Sequence, residues 1–134
     1  MDIEYKSIRE FTPQELQELF LSVNWSSGNY PDRLVAAMKN SATVFTAWDN
    51  QKLVGLINVL DDSVMTAYIH YLLIMPEYQH AGIGKKLMEM VIDKYKSFLR
   101  ILLVAYDRET EFYKHCGFEI GEEKVPMFIT SLWT

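Results

Sequence analysis

Apolar positions recur at two different spacings along the chain, and the changes of spacing predict where helices alternate with strands. Leu16, Leu19, Phe20 and Val23 follow one another at the spacing of a helix face. The residues just before them, 12–15, read Thr-Pro-Gln-Glu, which is the pattern of a capping box with proline at the first helical position. The pattern therefore predicts a first helix that begins after Thr12.

The remaining apolar runs predict an alternation of strands and helices. Further helices are predicted over residues 31–39, 82–96 and 107–115, and strands over residues 42–48, 52–60, 65–75, 100–105, 118–120 and 125–132. Short turns between the early strands favour antiparallel pairs, whereas the crossover through residues 82–96 favours a parallel pair. The predicted fold is α/β (α+β), with a mixed, mostly antiparallel sheet of about six or seven strands flanked by about four helices.

Composition narrows the class of protein. With 134 residues, 49% apolar and 23% charged, the chain fits a single soluble domain over residues 1–134. The net charge of -5 gives a nucleic-acid partner no electrostatic support, and no apolar run approaches the about 18 residues of a membrane span. Cys116 is the only cysteine, and the first residues lack the pattern of a signal peptide. We therefore expect a cytoplasmic protein with no metal site, no nucleic-acid partner and no membrane partner.

The most informative stretch is residues 72–87, where an apolar strand breaks at a proline and enters a helix through a turn with two glycines. Gly82 and Gly84 remove side chains where backbone N–H groups would approach an anion. A dinucleotide fingerprint needs a third glycine where this chain has Leu87, and a Walker loop needs glycine at Gln79 and Ser or Thr at Lys86. Two interpretations remain: a cradle for a pyrophosphate, or a plain joint between a strand and a helix.

Two motifs together resemble one family. The pattern Gln79-x-x-Gly82-x-Gly84 after Leu-Leu-Ile-x-Pro resembles the acetyl-coenzyme A signature of the GNAT N-acetyltransferase superfamily. Residues 111–118 are similar to the C-terminal signature of that family, in which a tyrosine, here Tyr113, precedes Gly-Phe by four residues. The order of predicted elements also resembles the GNAT fold along nearly the whole chain.

The resemblance implies a cosubstrate, acetyl-coenzyme A (acetyl-CoA), and a set of residues that bind it. The pantetheine arm would pair with the backbone of Leu72, Leu73 and Ile74, and an N–H near Ile74 would stabilise the oxyanion. The pyrophosphate would be held by backbone groups of the loop that comprises Gln79, His80, Ala81, Gly82, Ile83, Gly84 and Lys85. Tyr113 would act as the general acid for the departing thiolate.

The residues for the acceptor are less clear from the motifs. Many relatives carry an acidic general base where this chain has Tyr68, and His70, two residues further on, could take the amine proton instead. Trp25 and Tyr30 lie between the first two predicted helices, where they could line an amine pocket or form an aromatic lid on the core. We include Trp25, Tyr30 and Tyr68 as candidate substrate-binding residues.

The resemblance implies an N-acetyltransferase that moves an acetyl group from acetyl-CoA to a primary amine by direct attack in a ternary complex. A small molecule is the favoured acceptor, because the chain leaves little room for a docking platform and its acidic balance favours cations. The alternatives are a protein N-terminus or lysine acetyltransferase, an idle acyl-CoA-binding module, and an interaction protein with a coincidental loop. The sequence also leaves open whether the chain forms a homodimer.

Overall fold

The computed structural model describes residues 2–134, which form one sheet with helices packed against it. The strands are β1 (Ile3–Ser7), β2 (Thr43–Asp49), β3 (Lys52–Asp61), β4 (Thr66–Ile74) and β5 (Arg100–Leu103). The helices are α1 (Pro13–Ser22), α2 (Pro31–Asn40), α3 (Ile83–Lys94) and α4 (Thr110–His115), and short 3₁₀ turns cover Ser26–Asn29, Pro76–Tyr78 and Asp107–Glu109.

The sheet has the strand order β1-β2-β3-β4-β5, so neighbours along the chain are neighbours in space. The pairs β1–β2, β2–β3 and β3–β4 are antiparallel, and β4–β5, which is joined through α3, is parallel. The prediction of a mixed, mostly antiparallel sheet flanked by four helices is therefore confirmed. The pattern analysis missed β1, because Ile3 and Tyr5 alternate with polar residues over only five positions.

The predicted strands over residues 118–120 and 125–132 are wrong. No strand lies beyond Leu103 in the part of the chain that the structure describes, so the sheet has five strands instead of six or seven. The residues after Phe118 are rich in β-prone side chains, but none of their backbone groups joins the ladder of β5. A strand needs a hydrogen-bonded neighbour, and composition alone does not provide one.

The helix ends follow the local sequence. The capping box of α1 is confirmed, because the Glu15 N–H donates to the Thr12 hydroxyl at 3.2 Å and the Thr12 N–H donates to the Glu15 carboxylate at 2.8 Å. On α3, the buried residues include Ile83, Leu87 and Val91. Met88 is also buried, whereas Met90 is only half-buried.

Helices cover both faces of the central strands. Consecutive residues of β2 and β3 are buried, so both faces of these strands lie in the core. Helix α1 packs on β3 and β4, and α3 packs on β2, β3 and β4. Gly55 of β3 allows α3 to approach closely, since a Cβ there would lie 2.9 Å from Ile74 and 3.3 Å from Ile83. Within residues 2–134, no helix is both long enough and apolar enough to cross a bilayer.

Candidate active site

A cleft opens where β4 and β5 part. The two strands pair only from Thr66 with Arg100 to Ile69 with Leu103, where β5 ends. Strand β4 continues to Ile74 and stays paired with β3 on its other side. The backbone of residues 70–74 therefore has a free side that faces a cleft of about 560 Å³.

One end of the cleft has the form of an anion cradle. Gly82 has φ of 83°, in the left-handed region, and α3 begins directly after it. The first turn of α3 holds no acidic residue. The helix makes its first hydrogen bond from the Lys86 N–H to the Gly82 oxygen at 3.0 Å, so the N–H groups before Lys86 have no partner within the helix. A Cβ built on Gly82 would meet no described atom within 4 Å, so the space above this helix end is open. This end of the cleft therefore fits a pyrophosphate bound by backbone N–H groups.

The side chains of Gln79 and Tyr78 fix the position of the loop and do not bond to its backbone N–H groups. The Gln79 side-chain amide donates to the Ile74 carbonyl at 2.9 Å, and this bond ties the loop to the end of β4. The Tyr78 hydroxyl donates to the Asp49 carboxylate at the end of β2. His80 has φ of 64°, so two residues of this short loop adopt left-handed backbone. The loop is fixed from outside and presents its main chain to the cleft.

A β-bulge lies in the middle of the cleft. Asn58 of β3 pairs with Tyr71 and the next residue, Val59, pairs with Ile69, so His70 has no partner across the ladder. The buried Asn58 side chain accepts the Tyr71 N–H at 2.9 Å in place of a ladder bond. Consecutive side chains of a regular strand point to opposite faces, yet the His70 and Tyr71 rings stack with centroids 4.0 Å apart. The bulge thus changes the direction of His70, which lines the cleft.

Two titratable groups with perturbed pKa values line the same cleft. Burial, with a smaller contribution from the Glu109 charge, raises the pKa of Tyr113 to about 12, so its phenol stays protonated at neutral pH. The Tyr113 ring packs edge-on against Phe112 and Phe118, at 5.1 and 6.1 Å between centroids. Partial desolvation lowers the pKa of His70, whose side chain stays accessible to solvent, and this favours the neutral imidazole at pH 7. The cleft therefore holds a proton acceptor and a hydroxyl donor.

The structure brings most of the predicted site residues together and separates a few from them. The cleft is lined by Trp25, His70, Leu72, Leu73, Ile74, Gln79, His80, Gly82, Ile83, Gly84, Lys85 and Tyr113. Ala81, Tyr30 and Tyr68 do not line it. Tyr30 is exposed beside Arg33, and the Tyr68 ring lies 5.9 Å from the His70 ring.

Sequence analysis missed several residues of the cleft. These include Asn24, Tyr78, Arg108, Glu109 and Phe112. It also missed an aromatic pair on the cleft, Trp25 and Tyr106, whose ring centroids lie 6.5 Å apart. The Tyr71 ring, which does not line the cleft, lies 5.9 Å from that of Trp25. The one available signal was Asn58, a polar residue within an apolar strand, which marks the bulge. Residues 2–134 contain no cluster of three or more His, Cys, Asp or Glu side chains that could hold a metal ion.

Solved structures share this fold. A GNAT family acetyltransferase from Streptococcus pneumoniae matches with a TM-score of 0.83 at 24% identity, over 97% of this chain and 99% of its own. The glucosamine-6-phosphate N-acetyltransferase from Arabidopsis thaliana matches with a TM-score of 0.73 at 13% identity, over 97% of this chain and 100% of its own. At these identities the matches show the fold alone.

The sequence comparisons show the family as well as the fold. A ycf52-like N-acetyltransferase of Prochlorococcus marinus is 32% identical over 123 residues, which are 87% of this chain and 67% of that relative. A histone acetyltransferase of Glycine max is 30% identical over 124 residues, which are 83% of this chain and 53% of that relative. The chain thus spans about half to two thirds of the length of these relatives. The model of the Acetyltransferase (GNAT) family matches residues 8–118, and the chain belongs to the GNAT acetyltransferase family.

Proposed function

We propose that this chain is an N-acetyltransferase that moves the acetyl group of acetyl-CoA directly to a primary amine of a small molecule. The observation that carries the proposal is the cleft between β4 and β5, which has an anion cradle at Gly82 and Gly84 and two proton-handling groups, His70 and Tyr113. A pyrophosphate at one end and a reacting thioester at the other match this division of the cleft.

Binding of acetyl-CoA would use main chain more than side chains. The pyrophosphate accepts N–H groups of the loop from Gln79 to Lys85, with Gly82 and Gly84 leaving room for it. The pantetheine amides pair with the free side of Leu72, Leu73 and Ile74, as an added strand would. The thioester then lies along β4 between the bulge and Ile74, where a backbone N–H of the strand stabilises the oxyanion that forms on attack.

The transfer step forms an N–C bond and breaks the C–S bond of the thioester. The neutral amine attacks the thioester carbonyl, and neutral His70 takes the surplus amine proton, directly or through water. The Tyr113 hydroxyl donates a hydrogen bond to the departing sulfur, and its proton follows as negative charge builds up there. An ordinary thiol has a pKa of about 8.5, below that of Tyr113, which opposes proton transfer from the phenol to the thiolate. Burial in the cleft also raises the pKa of a thiol, and this reduces the difference.

The walls around His70 favour a small amine with an apolar body. Trp25 and Tyr106 form an aromatic surface on the cleft, and Tyr71 packs against Trp25. Trp25 and Tyr30 make a matched pair for a test, because both precede α2 and only Trp25 lines the cleft. Trp25→Leu should raise the acceptor KM at least about tenfold, with the acetyl-CoA KM unchanged and Tyr30→Leu without effect on either.

A protein acceptor is the second candidate, and a named relative favours it. The Glycine max relative is called a histone acetyltransferase, and this chain spans 53% of its length. Efficient acetylation of peptide N-termini or protein lysines, with none of a broad panel of small amines, would replace the first proposal with this one.

Two measurements test the proposed activity. Calorimetric titration with acetyl-CoA should show binding, with coenzyme A as a competitor, and absence of binding contradicts any acyl-CoA function. Release of thiol from acetyl-CoA should then depend on an added amine from a panel of aromatic, aliphatic and peptide amines. Binding without release for every amine would identify an idle acyl-CoA-binding module.

A further inference from the structure

A chain of hydrogen-bonded groups runs behind the end of the cleft that holds Trp25 and His70. The Tyr71 hydroxyl lies 2.9 Å from the Ser27 hydroxyl, and the Ser27 hydroxyl lies 2.8 Å from the main-chain oxygen of Thr134. Ser27 is only 2% exposed, so little water competes for these bonds. The bonds join strand β4 to the turn between α1 and α2, two parts of the molecule that both border the cleft.

The hydrogen bonds of this chain have one direction. A main-chain oxygen can only accept, so the Ser27 hydroxyl donates its single proton to Thr134. The Tyr71 hydroxyl must then donate its own proton to the Ser27 oxygen. The same Thr134 oxygen also accepts the Ser27 N–H at 2.8 Å and the Ser26 hydroxyl at 3.0 Å. The last acceptor is therefore held in place, and the Tyr71 hydroxyl has a fixed partner.

The ring of Tyr71 contacts His70. The two rings are stacked, with centroids 4.0 Å apart and planes 24° apart. Phe20 packs edge-on against the Tyr71 ring at 4.9 Å, and the Tyr71 N–H donates to Asn58 at 2.9 Å. Tyr71 is thus held at its hydroxyl, its ring and its backbone. His70 is exposed, and an exposed side chain samples several rotamers unless a neighbour restricts it.

We propose that Tyr71 is a positioning residue, which holds the His70 imidazole in the direction that receives the amine proton, and that Ser27 and Thr134 fix Tyr71 for this role. The inference rests on the proposed function, in which His70 is the base. A base acts only within hydrogen-bond reach of the proton that it takes. An imidazole that rotates away from Tyr71 therefore loses catalytic effect although its chemistry is unchanged.

The same ring also links the base to the acceptor pocket. Trp25 lines the cleft two residues before Ser27, and its ring lies 5.9 Å from that of Tyr71 and 6.1 Å from that of Phe20. Trp25 and His70 thus pack against one ring, which does not itself line the cleft. Tyr71 therefore sets the position of the base relative to the acceptor.

The test is a double-mutant cycle of Tyr71→Phe and Ser27→Ala, followed by thiol release with a saturating small amine. Tyr71→Phe keeps the ring and removes the hydroxyl, and Ser27→Ala removes the other partner of the same bond. Each variant should lower kcat roughly tenfold, with the Kd of acetyl-CoA within about twofold, because the cradle at Gly82 is untouched. The double variant should be about as slow as either single variant, whereas independent effects would multiply to roughly 100-fold.

Tyr95→Phe is the matched control for lost stability. It also removes a tyrosine hydroxyl that is bound to a hydroxyl side chain, that of Thr43 at 2.6 Å, and Tyr95 does not line the cleft. Tyr95→Phe should lower the Tm and leave kcat and both KM values within about twofold of wild type. A fall in kcat in the Tyr71 and Ser27 variants therefore reports positioning and not destabilisation.

A second readout needs no turnover. The imidazole C–H resonances of His70, assigned with His70→Gln, should lie upfield of those of His80 and His115, because His70 lies over the face of an aromatic ring and the other two histidines are exposed. Ser27→Ala should move the His70 resonances toward those of His80 and His115, since the Tyr71 ring then loses its anchor.

Three results in an active wild-type chain would overturn the positioning role alone. These are kcat within about threefold of wild type in both single variants, losses that multiply in the double variant, and His70 resonances that Ser27→Ala leaves unchanged. Failure of the proposed function gives a different result, since the wild-type chain then releases no thiol with any small amine. In that case His70 is not a base, and the positioning role fails with it.

Discussion

Replacement of Tyr113 by phenylalanine tests the proposed chemistry most directly, because it removes one hydroxyl and keeps the ring. The ring packs between Phe112 and Phe118, and these contacts are retained in Tyr113→Phe. The free energy of unfolding should therefore change by no more than about 0.5 kcal/mol.

The effect on catalysis should be far larger. If the hydroxyl donates to the departing sulfur, its loss should lower kcat by roughly 10² to 10⁴, or about 2.7–5.5 kcal/mol of transition-state stabilisation. The Kd of acetyl-CoA should stay within about twofold, because the cradle at Gly82 is untouched. Since the pKa of Tyr113 is about 12, the wild-type enzyme should show no alkaline loss of kcat up to about pH 10.

The assay is thiol release under single-turnover conditions, which isolates the chemical step from product release. Tyr106→Phe is the matched control, since Tyr106 lines the same cleft and loses the same atom. If Tyr113→Phe and Tyr106→Phe both keep single-turnover rates within threefold of wild type, the sulfur takes its proton from another donor and our reasoning about Tyr113 fails.

Three further predictions concern the cradle, the base and the fold. Gly84→Val should raise the Kd of acetyl-CoA roughly 10²-fold by calorimetry, with a smaller effect for Gly84→Ala. A Cβ at Gly84 lies 3.5 Å from Phe112, and the further methyl groups of valine enter the cleft. Equal Kd values for wild type and Gly84→Val would rule out the cradle. With an aromatic amine that is neutral above pH 6, kcat/KM should fall only below about pH 6.5, because desolvation lowers the pKa of His70. If the same acidic decrease in kcat/KM persists in His70→Gln, it belongs to another group. Tyr95→Phe should lower the stability by about 1–2 kcal/mol and the Tm by about 4–8 °C in calorimetric scans, because the buried Thr43 hydroxyl loses a 2.6 Å bond; an unchanged Tm would contradict this.

The features that the sequence predicted well depend on residues close together in the chain. The capping box at Thr12 involves groups three residues apart, and the turn before α3 requires glycine at a left-handed position. Local geometry of this kind is encoded by residue type, so it can be read without knowledge of the tertiary fold. The same holds for the helix that carries Tyr113, which ends at His115, two residues before Gly117 with its φ of 105°.

The features that were missed depend on partners far away in the chain. Residues 125–132 have the composition of a strand, but a strand exists only where an edge pairs with it, and β5 of the same chain does not. Trp25 and Tyr30 were equivalent candidates in the sequence, and only the packing of Trp25 against Tyr71 of β4 places it on the cleft. Period and propensity carry no information on such contacts.

The bulge and the parting of the strands have a common physical origin. Ile69 is the last residue of β4 that pairs with β5, and the bulged residue, His70, follows it directly. A bulge bends its strand and increases the local twist, so the rest of β4 turns away from the line of β5. Because Asn58 satisfies the Tyr71 N–H, the irregularity leaves that buried donor paired. One extra residue in β4 thus accounts both for a cleft at this position and for an imidazole directed into it.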